Sequence, residues 1–452
     1  MAADTIVALS TPPGRSGIGV VRVSGESALE LTRSLLRDPS FNPEPNRVIL
    51  RKIFDPDTQE TIDSALVTFF KSPHSYTGDD VVELSCHGSP PLLLRVLDSL
   101  LLFGARAAAP GEFTMRAFAN GRLSLTQAEA VRDLIDAQTH AAVRQAARQL
   151  GGELSARLQP IKDALLDIIV PLESSLEFVE DDLPDDIARN ISEKLSSLCA
   201  KIDEMADSFR RGRLLKEGLR VALIGRPNVG KSSLFNKLLS SDRAIVTEIP
   251  GTTRDTISEV INLEGIPVFI TDTAGVRSAS DRIEQLGIER TRRAIADADL
   301  IVVVLDGSQP LNEEDEKIVN EASGSFFVVA LNKSDLESFC INNAPQIGDT
   351  LIPVSAMTGF GLKALCEAII KPFSANYLDE NSFVITDARH YDLLKRASGC
   401  LYFSGELVLQ RASEELVLAK LYEALRFLDE ITGETTPEAI LSQIFSSFCI
   451  GK

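Results

Sequence analysis

Eight consecutive residues, Gly225-Arg226-Pro227-Asn228-Val229-Gly230-Lys231-Ser232, have the types and the spacing to hold a polyphosphate. They follow an apolar run, Leu219 to Ile224, that reads as a buried strand, and lead into Ser233-Leu234-Phe235-Asn236-Lys237-Leu238-Leu239, which reads as a helix. G-x-x-x-x-G-K-[ST] between strand and helix is a phosphate-binding loop. Gly225 and Gly230 let the backbone curl so that its N–H groups and the helix N-terminus face the phosphates. Lys231 then reaches the terminal phosphates, and the Ser232 hydroxyl is placed to bind Mg²⁺.

The base and the switch elements follow in order. Asn332-Lys333-Ser334-Asp335 stands directly after the apolar run Phe326 to Leu331. An N-K-x-D at a strand end points to guanine, because the Asp335 carboxylate can accept from both the ring N–H and the exocyclic amine that adenine lacks. Ser355-Ala356, after the run Leu351 to Val354, would support the base carbonyl. Asp272-Thr273-Ala274-Gly275 supplies an outer-sphere carboxylate for Mg²⁺ and a γ-phosphate contact, and Gly251-Thr252-Thr253-Arg254-Asp255 supplies a switch threonine for Mg²⁺. Together the motifs resemble the translation-factor-related class of P-loop GTPases, so GTP rather than ATP is the expected ligand. One departure is informative. Where Ras-like enzymes carry a water-orienting Gln, this chain has Val276. No resident arginine finger is identifiable either. Asn228 offers a side-chain carbonyl beside the phosphates, and a hard monovalent cation held there would neutralise developing charge, a role worth about 10³ to 10⁵ in rate when an arginine plays it.

Around this centre, 452 residues are enough for about three domains. Apolar content of 44% and charged content of 25% suit a globular protein. No basic segment followed by an apolar core opens the chain, and no apolar run approaches the roughly 18 residues of a membrane span, so a cytoplasmic protein without membrane attachment is expected. Six scattered cysteines without a Cys-x-x-Cys pair argue against a zinc site or a disulfide framework. A net charge of −19 disfavours non-specific nucleic-acid binding, so an RNA contact must use a local basic patch.

In chain order, residues 1–120 read as a mixed α+β domain, with strands at Thr5 to Ser10, Gly19 to Val23, Ala65 to Phe70 and Val81 to Ser85, and a helix from Ser89-Pro90 to Leu102. The glycines of Thr11-Pro12-Pro13-Gly14-Arg15-Ser16-Gly17 precede a strand rather than a helix, which argues against a dinucleotide fingerprint. Thr126 and Glu129 predict a capping box for one long helix to Leu150. Leu154, Leu158, Ile161, Leu165, Ile168 and Leu172 form one apolar stripe, and Ile191, Leu195, Leu198, Ile202, Met205 and Phe209 a second; both predict helices of a bundle, the first kinked or interrupted at Pro160 and Pro171. The acidic turn Glu180 to Asp186 between them reads as a solvated loop. Residues 217–377 alternate strands and helices as a doubly wound α/β domain. Helices return at Tyr391 to Phe403, Glu414 to Ile431 and after Thr436-Pro437. The expected architecture is therefore multidomain: an N-terminal α+β domain and a helical bundle, residues 121–216 and 378–452, interrupted by an inserted P-loop GTPase domain.

Over its whole length the chain resembles the MnmE (TrmE) family of tRNA-modification GTPases. The signs are Thr11-Pro12-Pro13-Gly14-Arg15, Pro110-Gly111-Glu112-Phe113-Thr114, Gly251-Thr252-Thr253-Arg254-Asp255 and the terminal Phe448-Cys449-Ile450-Gly451-Lys452. The resemblance implies a homodimer joined through N-terminal domains and a potassium-activated GTPase. It implies an MnmG-type FAD protein as partner, in a heterotetramer, and tRNA as substrate. The chemistry implied is an aminomethyl-type group placed on carbon 5 of the wobble uridine, with the one-carbon unit from a tetrahydrofolate in its 5-formyl or methylene form.

Residue by residue, the resemblance places GTP contacts on Asn228, Val229, Gly230, Lys231, Ser232 and Ser233, on Thr247, Glu248, Ile249, Pro250, Gly251, Thr252 and Thr253, on Asp272, Thr273, Ala274 and Gly275, and on Asn332, Lys333, Asp335, Ser355 and Ala356. K⁺ falls to Asn228 and Thr252 with the carbonyls of Thr247 and Ile249, and Mg²⁺ to Ser232 and Thr253. Catalytic roles fall to Lys231, to Asn228 and to Glu284 as the residue that orients water. Folate positions match Arg22, Glu83, Arg122 and Lys452; Arg122 stands where some relatives carry Lys, which keeps the charge but changes hydrogen-bond geometry. The resemblance brings the tail with Cys449 to the pterin-binding domain, leaving open whether the thiol reacts or only packs. Cys449-Ile450-Gly451-Lys452 lacks an accepted prenylation terminus. His87 and Cys86, adjacent on a strand, point to opposite faces and do not form a nucleophile pair. The competing reading is a GTP-driven switch whose flanking domains only bind partners; the folate-type positions and the Cys-Ile-Gly-Lys tail argue against it.

Overall fold

A computed structural model describes residues 4–178, 185–240, 258–272, 296–343, 351–373 and 383–451. The chain divides into two compact units, one made of Met1–Arg132, Gln149–Ser192 and Phe403–Lys452, the other of Asp133–Arg148 and Glu193–Tyr402.

The first unit opens with a six-stranded sheet. Its strands are β1 (Ile6–Leu9), β2 (Ser16–Ser24), β3 (Val48–Phe54), β4 (Thr61–Phe70), β5 (Val81–Gly88) and β6 (Arg106–Ala107), in the order β3-β4-β5-β2-β1-β6. All pairs are antiparallel except β1 with β6. Side chains alternate across it: Val21 and Val23, Ala65, Val67 and Phe69, and Val82, Leu84 and Cys86 are buried in a core shared with α1 (Ala28–Leu36) and α2 (Pro90–Leu102). The opposite face carries Arg22 and Glu83 as cross-strand partners. Along the chain follow α3 (Glu112–Ala119), α4 (Leu125–Asp136), α5 (His140–Leu150), α6 (Glu153–Phe178) and α7 (Asp185–Asp207), of which α5 and α7 belong for the most part to the second unit.

Two expectations need correction. The helix predicted to run to Leu150 is two helices, and its capping box is Ser124 with Gln127: Ser124 N–H donates to Gln127 Oε1 at 2.9 Å, and Gln127 N–H to Ser124 Oγ at 3.3 Å. Thr126 lies inside the first turn, its hydroxyl 2.9 Å from Ser124 Oγ. The same S/T-x-x-E/Q spacing occurs twice, two residues apart, and the earlier copy caps. The second correction is α6, which runs unbroken through Pro160 and Pro171. Both prolines are exposed, whereas Leu154, Leu158, Ile161, Leu165, Ile168 and Leu172 are all buried. Each proline costs about 3 kcal/mol in a helix interior. Here both lie on the exposed side of the helix, and the apolar stripe, which packs along α13 (Glu414–Thr432), holds the axis.

The second unit takes α8 (Phe209–Glu217) directly into β7 (Leu219–Ile224) and α9 (Lys231–Leu239). It continues with β8 (Ser258–Leu263), β9 (Ile266–Asp272), β10 (Leu300–Asp306), α10 (Glu313–Ala322), β11 (Phe327–Asn332), β12 (Leu351–Pro353) and α11 (Leu362–Ile370). The sheet order is β12-β11-β10-β7-β9-β8, parallel throughout except for the β8–β9 hairpin. Strands buried on both faces, such as the continuous apolar run of β10, give the doubly wound α/β fold. The chain leaves through α12 (Ala388–Leu409), followed in the first unit by α13 and α14 (Glu438–Ser446). From Leu195 on, the second apolar stripe lies in this second unit, where Cys199 Sγ bonds Ser398 O and Phe209 stacks on Tyr391 with ring centroids 4.7 Å apart. Among the described residues no helix is long and apolar enough to cross a membrane.

Candidate functional site

The phosphate loop leaves the C-terminal end of β7, between β9 on one side and β10 on the other, the point where an open α/β sheet reverses its winding and binds ligands. The turn is tight. Asn228 and Gly230 take positive φ, 66° and 98°, and a Cβ on Gly230 would stand 2.3 Å from Asn332 Nδ2. No other residue fits that position. Gly230 is the N-cap of α9, so the N–H groups of its first turn, with Ser232 and Ser233 exposed there, face the loop. Lys231 is buried, and its ammonium donates to the carbonyls of Gly225 and Arg226 at 2.6 and 2.8 Å. The cation is thus held across the mouth of the loop by acceptors that a phosphate oxygen can replace.

The residues expected to read the base converge on the same edge. Asn332, buried at the end of β11, donates to Val229 O at 2.8 Å and accepts from Ala356 N–H at 3.0 Å, so one amide ties the phosphate loop to the Ser355-Ala356 segment. The Ser355 hydroxyl donates to Asp335 Oδ1 at 2.6 Å and accepts Thr358 N–H at 3.1 Å, which fixes the carboxylate. That leaves Asp335, itself exposed, with its second oxygen for a ligand. Two members of this assembly carry no sequence motif. Asp306, paired in register with Asn332, receives Lys333 Nζ at 2.6 Å; burial pushes its carboxyl up, but Lys333 and Ser308 outweigh that and hold it below the usual range. Arg226 lies 3.1 Å from the buried carboxylate of Asp315.

Asp272 ends β9 opposite Leu223. Thr247, Glu248, Ile249, Pro250, Gly251, Thr252 and Thr253, Thr273, Ala274, Gly275, Val276, Glu284 and Lys452 lie outside the described residues, as does the acidic turn at 180–184. Among the described residues no cluster of three or more His, Cys, Asp or Glu could hold a metal.

In the first unit Arg22 and Glu83 meet: Nε and Nη2 of Arg22 reach Glu83 Oε1 at 2.9 and 2.8 Å. The guanidinium also lies over the rings of Tyr76 and Phe113, 5.3 and 5.5 Å from their centroids. Tyr76 and Thr114 share a 2.8 Å hydroxyl contact, and burial pushes the phenol up. Phe113 and Thr114 belong to the Pro-Gly-Glu-Phe-Thr stretch, so that motif braces the arginine. Arg122 is exposed, its N–H bonded to Ala117 O. The tail docks on this domain: Ser10 Oγ donates to Gly451 O at 3.1 Å and Gly111 N–H to Cys449 O at 3.4 Å. Cys449 is exposed. Cys86 is buried and its thiol is pushed up to about 12 by burial and by Asp63, while His87 faces out and pairs with Asp63 at 2.7 Å. The two neighbours form no reactive pair.

Two family models cover the chain, the TrmE N-terminus of GTP-binding proteins over residues 5–122 and the MnmE helical domain over residues 125–449. Among curated relatives, the tRNA modification GTPase MnmE of Koribacter versatilis is 45% identical over 99% of both chains. The protein of that name from Natranaerobius thermophilus is 40% identical over 100% of both, and that of Aquifex aeolicus 42% identical over 99% of this chain and 100% of its own.

Proposed function

The chain belongs to the MnmE family of tRNA modification GTPases, and from that premise we propose that it is a potassium-activated GTP hydrolase acting in tRNA wobble-uridine modification. In this reading it works as a homodimer with an MnmG-type flavoprotein and adds a carboxymethylaminomethyl group to carbon 5 of the uridine. The nucleotide domain, residues 217–377, is inserted in a helical domain, and residues 1–120 bind the folate and dimerise. The observation that carries the reading is that one chain, alike to MnmE proteins from end to end, holds both a phosphate loop locked to an N-K-x-D segment by Asn332 and an Arg22–Glu83 pair braced on two rings.

The residues divide the work. Lys231 and the N–H groups of the α9 first turn take the phosphates, Ser232 and Thr253 hold Mg²⁺, and Asp335 with Ser355 and Ala356 reads guanine. Asn228, exposed at the lip of the loop, would hold K⁺ with Thr252 and the Thr247 and Ile249 carbonyls, supplying the positive charge that an arginine finger supplies in other GTPases. Glu284 orients the water. Arg22 and Glu83, with Arg122 and Lys452, suit a pterin ring and a glutamate tail, and the folate supplies a one-carbon unit when bound. Homodimerisation is supported by the edge of the first sheet, where Val48 and Leu50 of β3 and Leu66 of β4 are exposed and Leu50 pairs with Leu66. An apolar sheet edge invites a second copy.

The test is GTP turnover by the purified chain in K⁺ and in Na⁺. Turnover in K⁺ should be faster, and Asn228→Ala should lose the K⁺ response while still binding nucleotide. Equal turnover in the two salts contradicts the K⁺ site.

A further inference from the structure

β8 and β9 connect the two motif-bearing segments of the nucleotide domain, Gly251 to Asp255 on one side and Asp272 to Gly275 on the other. Segments of that kind change contacts when a γ-phosphate is lost. The hairpin between them is closed by two residues. Leu263 pairs with Ile266, and Glu264 and Gly265 both take positive φ, 54° and 89°, the type I′ turn that matches strand twist. Asn262 Oδ1 accepts the Gly265 N–H at 2.8 Å, so the tip is a stiff unit.

That tip is bonded to a helix outside the sheet. Gly265 O accepts the Thr139 hydroxyl proton at 2.7 Å, and a Cβ on Gly265 would stand 2.9 Å from Ala141 Cβ. Thr139 is 4% exposed. Its hydroxyl oxygen also accepts the Ala142 N–H at 3.1 Å, which caps α5. One buried hydroxyl thus gives its proton to the hairpin and a lone pair to the first turn of the helix.

We propose that the β8–β9 hairpin and Thr139 form a coupling element through which the bound nucleotide sets the stability of the first turn of α5. The proposal rests on the GTP hydrolase reading. β8 is the edge strand, and the hairpin is held to the sheet on one side only, by the register of β9 on β7 from Leu219–Val268 to Leu223–Asp272. A displacement of Asp272 at the phosphates therefore passes along β9 to a stiff tip. There it alters the bond to Thr139, and with it the cap of α5. The far end of α5 is bonded to the first turn of α4, which follows Arg122 in the chain: Gln149 Nε2 donates to Thr126 O at 3.1 Å, and Gln127 Nε2 to Leu150 O at 2.9 Å.

The test is amide hydrogen exchange of the full chain with GDP and with guanosine 5′-(β,γ-imido)triphosphate, each with Mg²⁺ and K⁺. Coupling between sites is commonly worth about fivefold or more in an equilibrium, so protection across 140–150 should differ by at least about that factor between the two states. Thr139→Val should abolish the difference in α5 while β8 and β9 still respond and GTP is still hydrolysed; Thr139→Ser should restore it. A merely structural cap would lower α5 protection equally in both states. Identical α5 exchange in the two states of the unmutated protein, or a difference that survives Thr139→Val, overturns the proposal. Failure to bind either nucleotide overturns the GTP reading beneath it.

Discussion

At the scale of residues, the chemistry-bearing side chains are set by neighbours that have no motif of their own. Arg22 is the clearest case. Its charge is neutralised by Glu83, and its plane is fixed by Tyr76 and Phe113, so the guanidinium is held in one orientation before anything binds. Arg22→Ala removes a charged hydrogen-bonding partner, an interaction worth about 1.5 to 3 kcal/mol, which is roughly tenfold or more in affinity. Equilibrium dialysis of 5-formyltetrahydrofolate against the full chain should show that loss, with GTP hydrolysis in K⁺ retained. Unchanged folate affinity would remove Arg22 from the site. The glycines, Lys231 and Ser232 were legible in the sequence because a phosphate loop is contiguous and its spacing is dictated by the backbone. Asp306 and Tyr76 were not, because their roles come from strand register and from a ring stacked across the domain, neither of which leaves a local pattern.

At the scale of elements, the helices were readable as apolar stripes but not in their ends. Pro160 and Pro171 look like breaks until burial is known: a proline on the wet side of a well-packed helix costs less than the packing returns. β3 was missed because one residue of seven is buried, so its sequence does not alternate. Charge pairing between elements was equally invisible. Lys216, in the last turn of α8, donates to Asp133 of α4 at 2.9 Å and to Asp387, just before α12, at 3.1 Å. Burial pushes the Asp387 carboxyl up, but the charges of His390 and Lys216 and the Arg389 N–H outweigh it and leave it far below the usual range. Burial likewise lowers Lys216, and the two carboxylates outweigh it and raise it. Asp387 contributes stability in full above its unfolded pKa of about 3.9 and loses it as pH falls through the lower folded value; Lys216 contributes in full below about 10.4 and loses it as pH rises through its raised value. Breaking a fully buried pair costs about 3 to 5 kcal/mol, and this half-buried one, whose Lys216 keeps Asp133, costs less. Asp387→Asn should therefore melt below the unmutated chain at pH 7, and the gap should narrow as pH falls below about 4. A gap that stays constant over that range would show that the carboxylate's charge contributes nothing.

At the scale of the whole molecule, the order of sheet, helices, nucleotide fold and helices again was legible because the hydrophobic pattern changes along the chain, from alternation in the first sheet to helical stripes, then to short continuous apolar runs between helices, and to stripes again. The contact between the tail and the first domain was not. It depends on Gly451 lying against the β1 carbonyls, with φ of 98° and room for no Cβ, 2.2 Å from Leu9 O. That docking sets Cys449 on the domain that carries Arg22 and Glu83, which a protein that only cycles GTP has no need to do. If the nucleotide and folate-type sites serve one tRNA modification, mass spectrometry of wobble-position nucleosides in tRNA from cells lacking this protein should show the carbon-5-substituted uridine gone, and returning with the unmutated chain but not with Lys231→Ala. Full levels of the substituted uridine in those cells would contradict it.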